Sequence, residues 1–165
     1  CYQPQYSLVV RDIEQELMPL CRHKGLGVVV WSPLAGGFLS GKYRPGARAL
    51  EGTRSQEAWA YPEPYFAANA DETLAVLLKV AADLGRTPAQ VAIRWVLEQP
   101  GISAAIVGAR SAAHLRDNLE ASSLRLQGEA LERLNEISRL PDRYPEAMQK
   151  NIHERRNSAI DMPSL

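Results

Sequence analysis

The run Leu26–Trp31 constrains the fold of this chain more than any other segment. It is a continuous series of mostly apolar, β-favouring residues between Gly25 and Pro33, and such runs are typical of parallel strands buried on both faces of a sheet. The chain passes directly from this strand into a segment of small residues. We therefore expect an α/β fold in which a loop opens at the carboxyl end of a buried strand, where α/β proteins place their ligands.

The segment that follows the strand carries groups suited to bind an anion. Ser32 offers a hydroxyl, Gly36 and Gly37 let backbone N–H groups come close, and Lys42 adds a positive charge. Trp31 could lay its indole against a flat ring. The alternative is an ordinary strand-to-helix turn with Trp31 in the core. The spacing matches neither a Walker loop nor a GxGxxG fingerprint, so generic nucleotide motifs do not decide between the two.

Apolar periodicity and capping residues divide the rest of the chain into alternating strands and helices. Helices are predicted over 11–24, 71–84, 87–99, 111–119 and 129–139, further strands over 1–6 and 102–107, and a long irregular excursion over 44–70. The first helix should bury Ile13, Leu17, Leu20 and Cys21, and the last strand should be buried. This order indicates an α/β protein with a parallel sheet.

Three strands do not complete such a sheet. They leave at least one apolar edge unpaired, which soluble proteins avoid, so the sequence predicts partner strands outside this chain. The chain begins with Cys1, not Met, in the middle of an expected strand. We therefore expect the true start of the protein to lie upstream.

Composition excludes several classes of partner. The chain has 19 Lys and Arg against 19 Asp and Glu, a formal net charge of zero, which argues against nucleic acid or an acidic membrane as the partner. No apolar run approaches the roughly 20 residues of a membrane-spanning helix. Cys1 and Cys21 are too few for a disulfide framework and fit no zinc motif, which predicts a reducing, cytoplasmic location and no metal site.

A second candidate loop follows the last predicted strand. Gly108 forms a turn and Arg110 stands at the start of a helix, where the helix dipole and unpaired N–H groups favour a phosphate. His114, Asp117 and Asn118 follow at helical spacing and could converge on an adenine and a ribose. The alternative is an ordinary solvated helix face.

Four ordered motifs resemble those of the aldo-keto reductases over residues 1 to about 140. They are Gln3 to Leu8 with Arg11 and Glu14, Trp31 to Gly37 with Ser40 to Tyr43, Thr87 to Trp95, and Val107 to Arg110 with Asn118. The branch that includes bacterial aldo-keto reductases and potassium-channel β subunits is the most similar. The resemblance implies a TIM (β/α)8 barrel that binds NADP(H) without a Rossmann domain. Residues 1–140 would be its C-terminal portion, strands six to eight, with the N-terminal strands missing, and residues 141–165 a polar tail.

The resemblance also implies a cofactor site. Gln3 would contact the nicotinamide carboxamide and Trp31 would stack on the nicotinamide ring. The pyrophosphate would be held by the first loop and nearby cations, namely Ser32, Pro33, Leu34, Ala35, Gly36, Lys42 and Arg54. The 2′-phosphate and the adenosine would be held by the second loop and its helix, namely Gly108, Arg110, His114, Asp117 and Asn118. Arg110 favours NADP over NAD, because a guanidinium suits a 2′-phosphate.

The sequence departs from the family pattern at three positions in this second loop. His114 stands where the family usually has Arg or Gln, Asp117 is one methylene shorter than the usual Glu, and Val107 replaces a common Pro. These departures concern the adenine contacts more than the phosphate site.

The family's chemistry uses residues that this chain does not contain. Hydride passes from the nicotinamide to a carbonyl while a Tyr, tuned by Lys, Asp and His, protonates the oxygen, and all four belong to the first half of the barrel. We therefore expect no catalytic residue here, and a parent protein that reduces small aldehydes or ketones to alcohols with NADP. Two alternatives stay open: a non-enzymatic NADP(H)-sensing subunit like the channel β subunits, or an inactive fragment.

Overall fold

The computed structural model describes residues 1–46 and 68–142, together with residues 144, 147, 148 and 152. In this part of the chain the regular elements are strands β1 (Val28–Trp31) and β2 (Ile102–Ile106) and helices α1 (Leu17–Lys24), α2 (Ala70–Asp83), α3 (Pro88–Glu98), α4 (Ala112–Leu119) and α5 (Glu129–Ile137). Arg54, most of the 44–70 excursion and most of the 141–165 tail lie outside the described residues.

The two strands pair in parallel, as predicted. Val28 lies opposite Ile102 and Trp31 lies opposite Ile106, so the two carboxyl ends are level. A parallel pair needs a crossover connection, and helices α2 and α3 lie between the two strands in the sequence. The α/β class is therefore confirmed for the described residues.

The strand predicted over residues 1–6 is present only as isolated bridges beside β1. Tyr2 bridges to Val28 and Gln5 bridges to Trp31, both in parallel. Pro4 lies between them and has no N–H to add to a ladder, but its carbonyl accepts a hydrogen bond from the Trp31 N–H at 2.9 Å. The segment thus lies where the sequence placed it, as isolated bridges instead of a regular strand.

The prediction that the strands are buried on both faces is wrong. Along β1, buried Val28 and Val30 alternate with half-buried Val29 and Trp31. In β2 three of the five residues are exposed, among them Ile106 at 45%. The reason is the number of neighbours: among the described residues β2 pairs with β1 alone and packs against α3, so one edge has no partner strand and α3 covers only part of the side chains.

The predicted helix over 11–24 is also wrong in its first half. The chain instead makes a single 3-10 turn at Asp12–Glu14 and starts α1 at Leu17. Pro19 explains the break, because it has no N–H and fits only the first turn of a helix, where N–H groups have no helical partner. Within α1, Leu17 and Leu20 are exposed, at 39% and 50%, whereas Met18 and Cys21 are buried.

The other helix boundaries agree with their capping signals in the sequence. Thr87 caps α3 with Pro88 in the first position, Ser111 caps α4, and Gly25 ends α1 in the left-handed conformation. The core lies where α2 and α3 pack on each other and α3 packs on the sheet. Trp95 of α3 is its largest fully buried side chain, stacked on Tyr6 with ring centroids 5.4 Å apart.

Candidate functional site

Both candidate loops begin at the carboxyl-terminal end of the two paired strands. Because Trp31 lies opposite Ile106, the loop from Ser32 and the loop from Val107 start side by side. Gln5 bridges to Trp31 on the other side, so the end of the N-terminal segment borders the same edge. The arrangement brings groups from three separate parts of the sequence to the carboxyl end of the parallel strands, where α/β folds bind ligands.

The first loop has an unusual backbone. Two residues other than glycine adopt positive φ, Ser32 at 56° and Ala35 at 49°, and Gly36 and Gly37 follow at 66° and 101°. The left-handed conformation costs an L-residue about 1–2 kcal/mol, and such residues cluster at functional sites. The glycines were visible in the sequence, whereas nothing in it marked Ser32 or Ala35 as left-handed.

The amide groups of this loop donate within the loop itself. The Gly36 N–H donates to Ser32 Oγ at 3.2 Å and the Gly37 N–H to the Leu34 carbonyl at 2.9 Å. An anion would therefore have to share these donors. Ser32 Oγ accepts one bond and retains its own O–H proton as a donor, because a hydroxyl does both.

The residues of the first loop fall into three groups by exposure. Trp31, Ser32, Leu34 and Gly36 are half-buried, and Lys42 is exposed. Trp31 is only half-buried and is not among the buried core residues, which favours a place at the border of the site over a place in the core. Buried Pro33 and Ala35 could act on a ligand only through their backbone.

The second loop is open to solvent. Gly108, Arg110 and His114 are exposed, as Gln3 is on the N-terminal segment. The hydroxyl of Ser111 accepts a hydrogen bond from the His114 N–H at 3.2 Å, which caps α4 as predicted. The positive end of the α4 dipole therefore lies beside Arg110, and both favour an anion.

The three residues expected on the adenosine do not share one environment. His114 faces solvent, whereas Asn118 is only 7% exposed. The Asp117 carboxylate accepts hydrogen bonds from Thr87 Oγ1 at 3.1 Å and from Gln90 Nε2 at 2.8 Å. Sequence reasoning missed this contact, since 27 to 30 residues separate the partners and no local pattern marks them.

A buried polar cluster that the sequence did not reveal fixes the N-terminal segment. Arg11 bonds both oxygens of Glu14, at 2.7 and 2.9 Å. Its Nη1 donates to the Asn135 carbonyl of α5 at 2.9 Å and to Oγ of Ser138, the C-cap residue of α5, at 2.6 Å. Its guanidinium also lies 5.1 Å from the centre of the Trp95 ring. This one side chain therefore connects the first and the last helical regions of the described fold.

Tyr6 belongs to the same cluster. Its hydroxyl donates to Glu14 Oε1 at 2.5 Å and its ring is fully buried. Burial, and then the neighbouring Glu14 carboxylate, raise the pKa of Tyr6 far above its usual range. The tyrosine is thereby held in its neutral form and is suited to a structural role.

Among the described helices, none is long and apolar enough to cross a membrane. Within the same residues, no group of three or more His, Cys, Asp or Glu side chains could hold a metal ion.

Comparison with known proteins identifies the class. The family model described as "Aldo/keto reductase family" matches residues 1–139. The chain is 38% identical over 135 residues to "Uncharacterized oxidoreductase YrpG" of Bacillus subtilis, covering 82% of this chain and 39% of that protein. It is 36% identical over 126 residues to "Probable voltage-gated potassium channel subunit beta" of Arabidopsis thaliana, covering 72% and 37%.

A third relative is "Uncharacterized oxidoreductase Rv2298" of Mycobacterium tuberculosis, 34% identical over 142 residues, covering 83% of this chain and 41% of that protein. The chain therefore belongs to the aldo/keto reductase family. It spans about two fifths of the length of the curated relatives that it matches.

Proposed function

We propose that this chain is the cofactor-binding C-terminal part of an NADP-dependent aldo-keto reductase whose complete form reduces small aldehydes or ketones to alcohols. The proposal rests on the pairing of Trp31 with Gln5 on one side and with Ile106 on the other. Because of this pairing, both candidate loops begin side by side at the carboxyl-terminal end of the strands. The remaining barrel strands, with the catalytic residues, would come from outside these 165 residues. Family membership and oxidoreductase relatives support the proposal.

The residues at this edge fit the chemistry of a nicotinamide dinucleotide phosphate. Trp31 is half-buried and its indole is of the type that stacks on a flat ring, the Ser32 hydroxyl can donate a hydrogen bond, and the exposed Arg110 lies beside the α4 N-terminus. The bound cofactor would supply the hydride. The residues of this chain would orient it, with Gln3 and Trp31 at the nicotinamide end and Gly108 and Arg110 at the 2′-phosphate.

The first test measures binding and turnover in the intact gene product. We expect NADPH to bind in calorimetry and to be consumed, as absorbance at 340 nm, when a panel of small aldehydes and ketones is added. The Trp31→Ala substitution should weaken NADPH binding about 3- to 10-fold, because it removes one ring contact. A wild-type protein with no measurable affinity for NADPH or NADH would contradict the proposal.

Arg110 tests the preference for NADP over NAD. Replacing it by Met should raise the Kd for NADPH about 10- to 100-fold, the value of a hydrogen bond to a charged group, and leave the Kd for NADH unchanged. Arg116→Met, an exposed arginine further along α4, is the matched control. Equal affinity of the wild-type protein for the two cofactors would remove the preference.

A non-enzymatic role is the second candidate, because a relative is named as a potassium channel β subunit. In that role bound NADPH would report redox state to a partner. The two candidates differ in one measurement: a sensing subunit binds NADPH tightly and does not oxidise it with any carbonyl of the panel. Reduction of one of these carbonyls would favour the enzyme. A cytoplasmic location is part of either proposal.

A further inference from the structure

Helix α4 is attached to α3 through one carboxylate. Asp117 Oδ2 accepts from the Thr87 hydroxyl at 3.1 Å and Oδ1 accepts from Gln90 Nε2 at 2.8 Å. Gln90 Nε2 also lies 3.2 Å from the Asp117 carbonyl oxygen. Because each carboxylate oxygen already accepts a bond from the protein, the side chain is held against α3.

The two donors are themselves fixed. The Gln90 N–H donates to Thr87 Oγ1 at 3.2 Å, and the Thr87 N–H donates to Gln90 Oε1 at 3.2 Å, which together form a capping box. Gln90 is buried. Asp117 therefore binds the rigid start of a core helix, and this contact fixes the position of α4 relative to α3.

The opposite end of α4 carries the candidate phosphate contacts and is exposed to solvent. Residues 108–116 are all exposed, and Asn118 is the single buried residue of the helix. Six residues separate Asp117 from Ser111, about 9 Å along the helix axis. A tilt of about 10° around Asp117 would thus move the Ser111 end by about 1.5 Å, whereas a binding site needs its groups placed within about 0.5 Å.

From this geometry we infer that Asp117 is a positioning residue for the 2′-phosphate site: held by Thr87 and Gln90, it fixes the N-terminal end of α4 and so the placement of Gly108 and Arg110. The inference rests on the proposed function. It assigns Asp117 a role different from the direct adenosine contact that the resemblance implies.

The test changes a partner of Asp117, namely Thr87, the N-cap residue of α3. In the intact gene product, Thr87→Val removes the hydroxyl donor and Thr87→Ser keeps it. We expect Thr87→Val to raise the Kd for NADPH about fivefold or more, with the Kd for NADH changed by less than about twofold, because the 2′-phosphate contacts are the ones displaced. Thr87→Ser should stay within about twofold of the wild-type Kd for both cofactors.

A double-variant cycle connects the effect to Asp117. Asp117→Asn should raise the Kd for NADPH as Thr87→Val does, and the two changes together should raise it no more than the larger single change. Ser138→Ala, in the cluster around Arg11, serves as the stability control and should leave both Kd values unchanged. The thermal unfolding of each variant is measured first, and binding is then compared at a temperature at which all variants are folded.

The outcomes separate the two proposals. If Thr87→Val leaves the Kd for NADPH unchanged while Asp117→Asn raises it, Asp117 contacts the cofactor directly and the inference is wrong. If neither changes it, or if NADPH and NADH weaken equally, the contact has a purely structural role and the inference is again wrong. A wild-type protein that binds neither cofactor overturns the proposed function, and this inference with it.

Discussion

At the scale of single residues, Tyr6 gives the fold a distinctive response to alkali. Its pKa is higher in the folded than in the unfolded chain, so its contribution to stability is fully present below about pH 10, the usual tyrosine value, and is lost as the pH rises beyond it. We expect one tyrosine fewer to ionise in the native than in the unfolded protein when absorbance at 295 nm is followed above pH 10. Tyr6→Phe should abolish this difference, and a native titration that includes all six tyrosines would contradict the assignment.

Arg11 tests how much the buried cluster contributes to stability. Arg11→Lys keeps the charge but cannot bond both oxygens of Glu14 and also reach α5, so we expect unfolding free energy to fall by about 2 kcal/mol in urea titrations. Lys79→Met is the matched control, since Lys79 pairs with Asp83 at 2.9 Å on an exposed surface and should cost about 0.5 kcal/mol or less. Similar losses in the two variants would refute a special role for Arg11.

At the scale of elements, the first loop depends on its approach to α3. A Cβ at Gly41, where φ is +89°, would lie 2.8 Å from Pro88 Cγ, whereas a Cβ at Gly37, where φ is +101°, would meet nothing within 4 Å. Gly37→Ala should therefore cost only the conformational strain, about 1–2 kcal/mol. Gly41→Ala should cost distinctly more because the loop and α3 must also separate. Thermal unfolding measures the loss of stability in each variant. Equal losses would mean that Pro88 can move away from the added Cβ at no cost in stability.

The elements also show which parts of the fold can be read from sequence. Thr87, Ser111 and Gly25 signal helix ends through their own side chains or lack of one, so those boundaries were predictable from local chemistry alone. The helix at 11–24 failed because the periodicity of Ile13, Leu17 and Leu20 outweighed Pro19 in the interpretation. Strand burial failed because it depends on neighbours that the sequence of a strand does not specify.

At the scale of the whole molecule, the edge of β2 that has no partner strand among the described residues predicts self-association of the 165-residue chain. An uncovered apolar strand is a template for pairing with another chain, and Ile106 is 45% exposed there. Ile106→Lys should reduce the associated fraction in sedimentation velocity. Leu84→Lys, at a residue 39% exposed beyond the end of α2, should not. A wild-type chain that stays monomeric would contradict this prediction.

The candidate site was predictable in its location but not in its internal geometry. The sequence could place both loops after strands, and parallel pairing then brought Ser32 and Val107 to one edge. It could not show that Gly36 donates to Ser32, because that bond depends on the unusual loop backbone. Nor could it show that Asp117 is held by Thr87, because that bond forms only when the helices pack. That the fourteen predicted residues bind a cofactor remains a prediction.

The reach of Arg11 has a consequence for how the chain folds as it is synthesised. Its bonds to Asn135 and Ser138 span 124 and 127 residues, so the partners emerge from the ribosome long after Arg11 itself. Contacts of such high sequence separation are slow to form. The bonds of Arg11 to Asn135 and Ser138 can therefore form only in a late folding step, after α5 has been made, and until then the bridges to β1 hold the N-terminal segment without them.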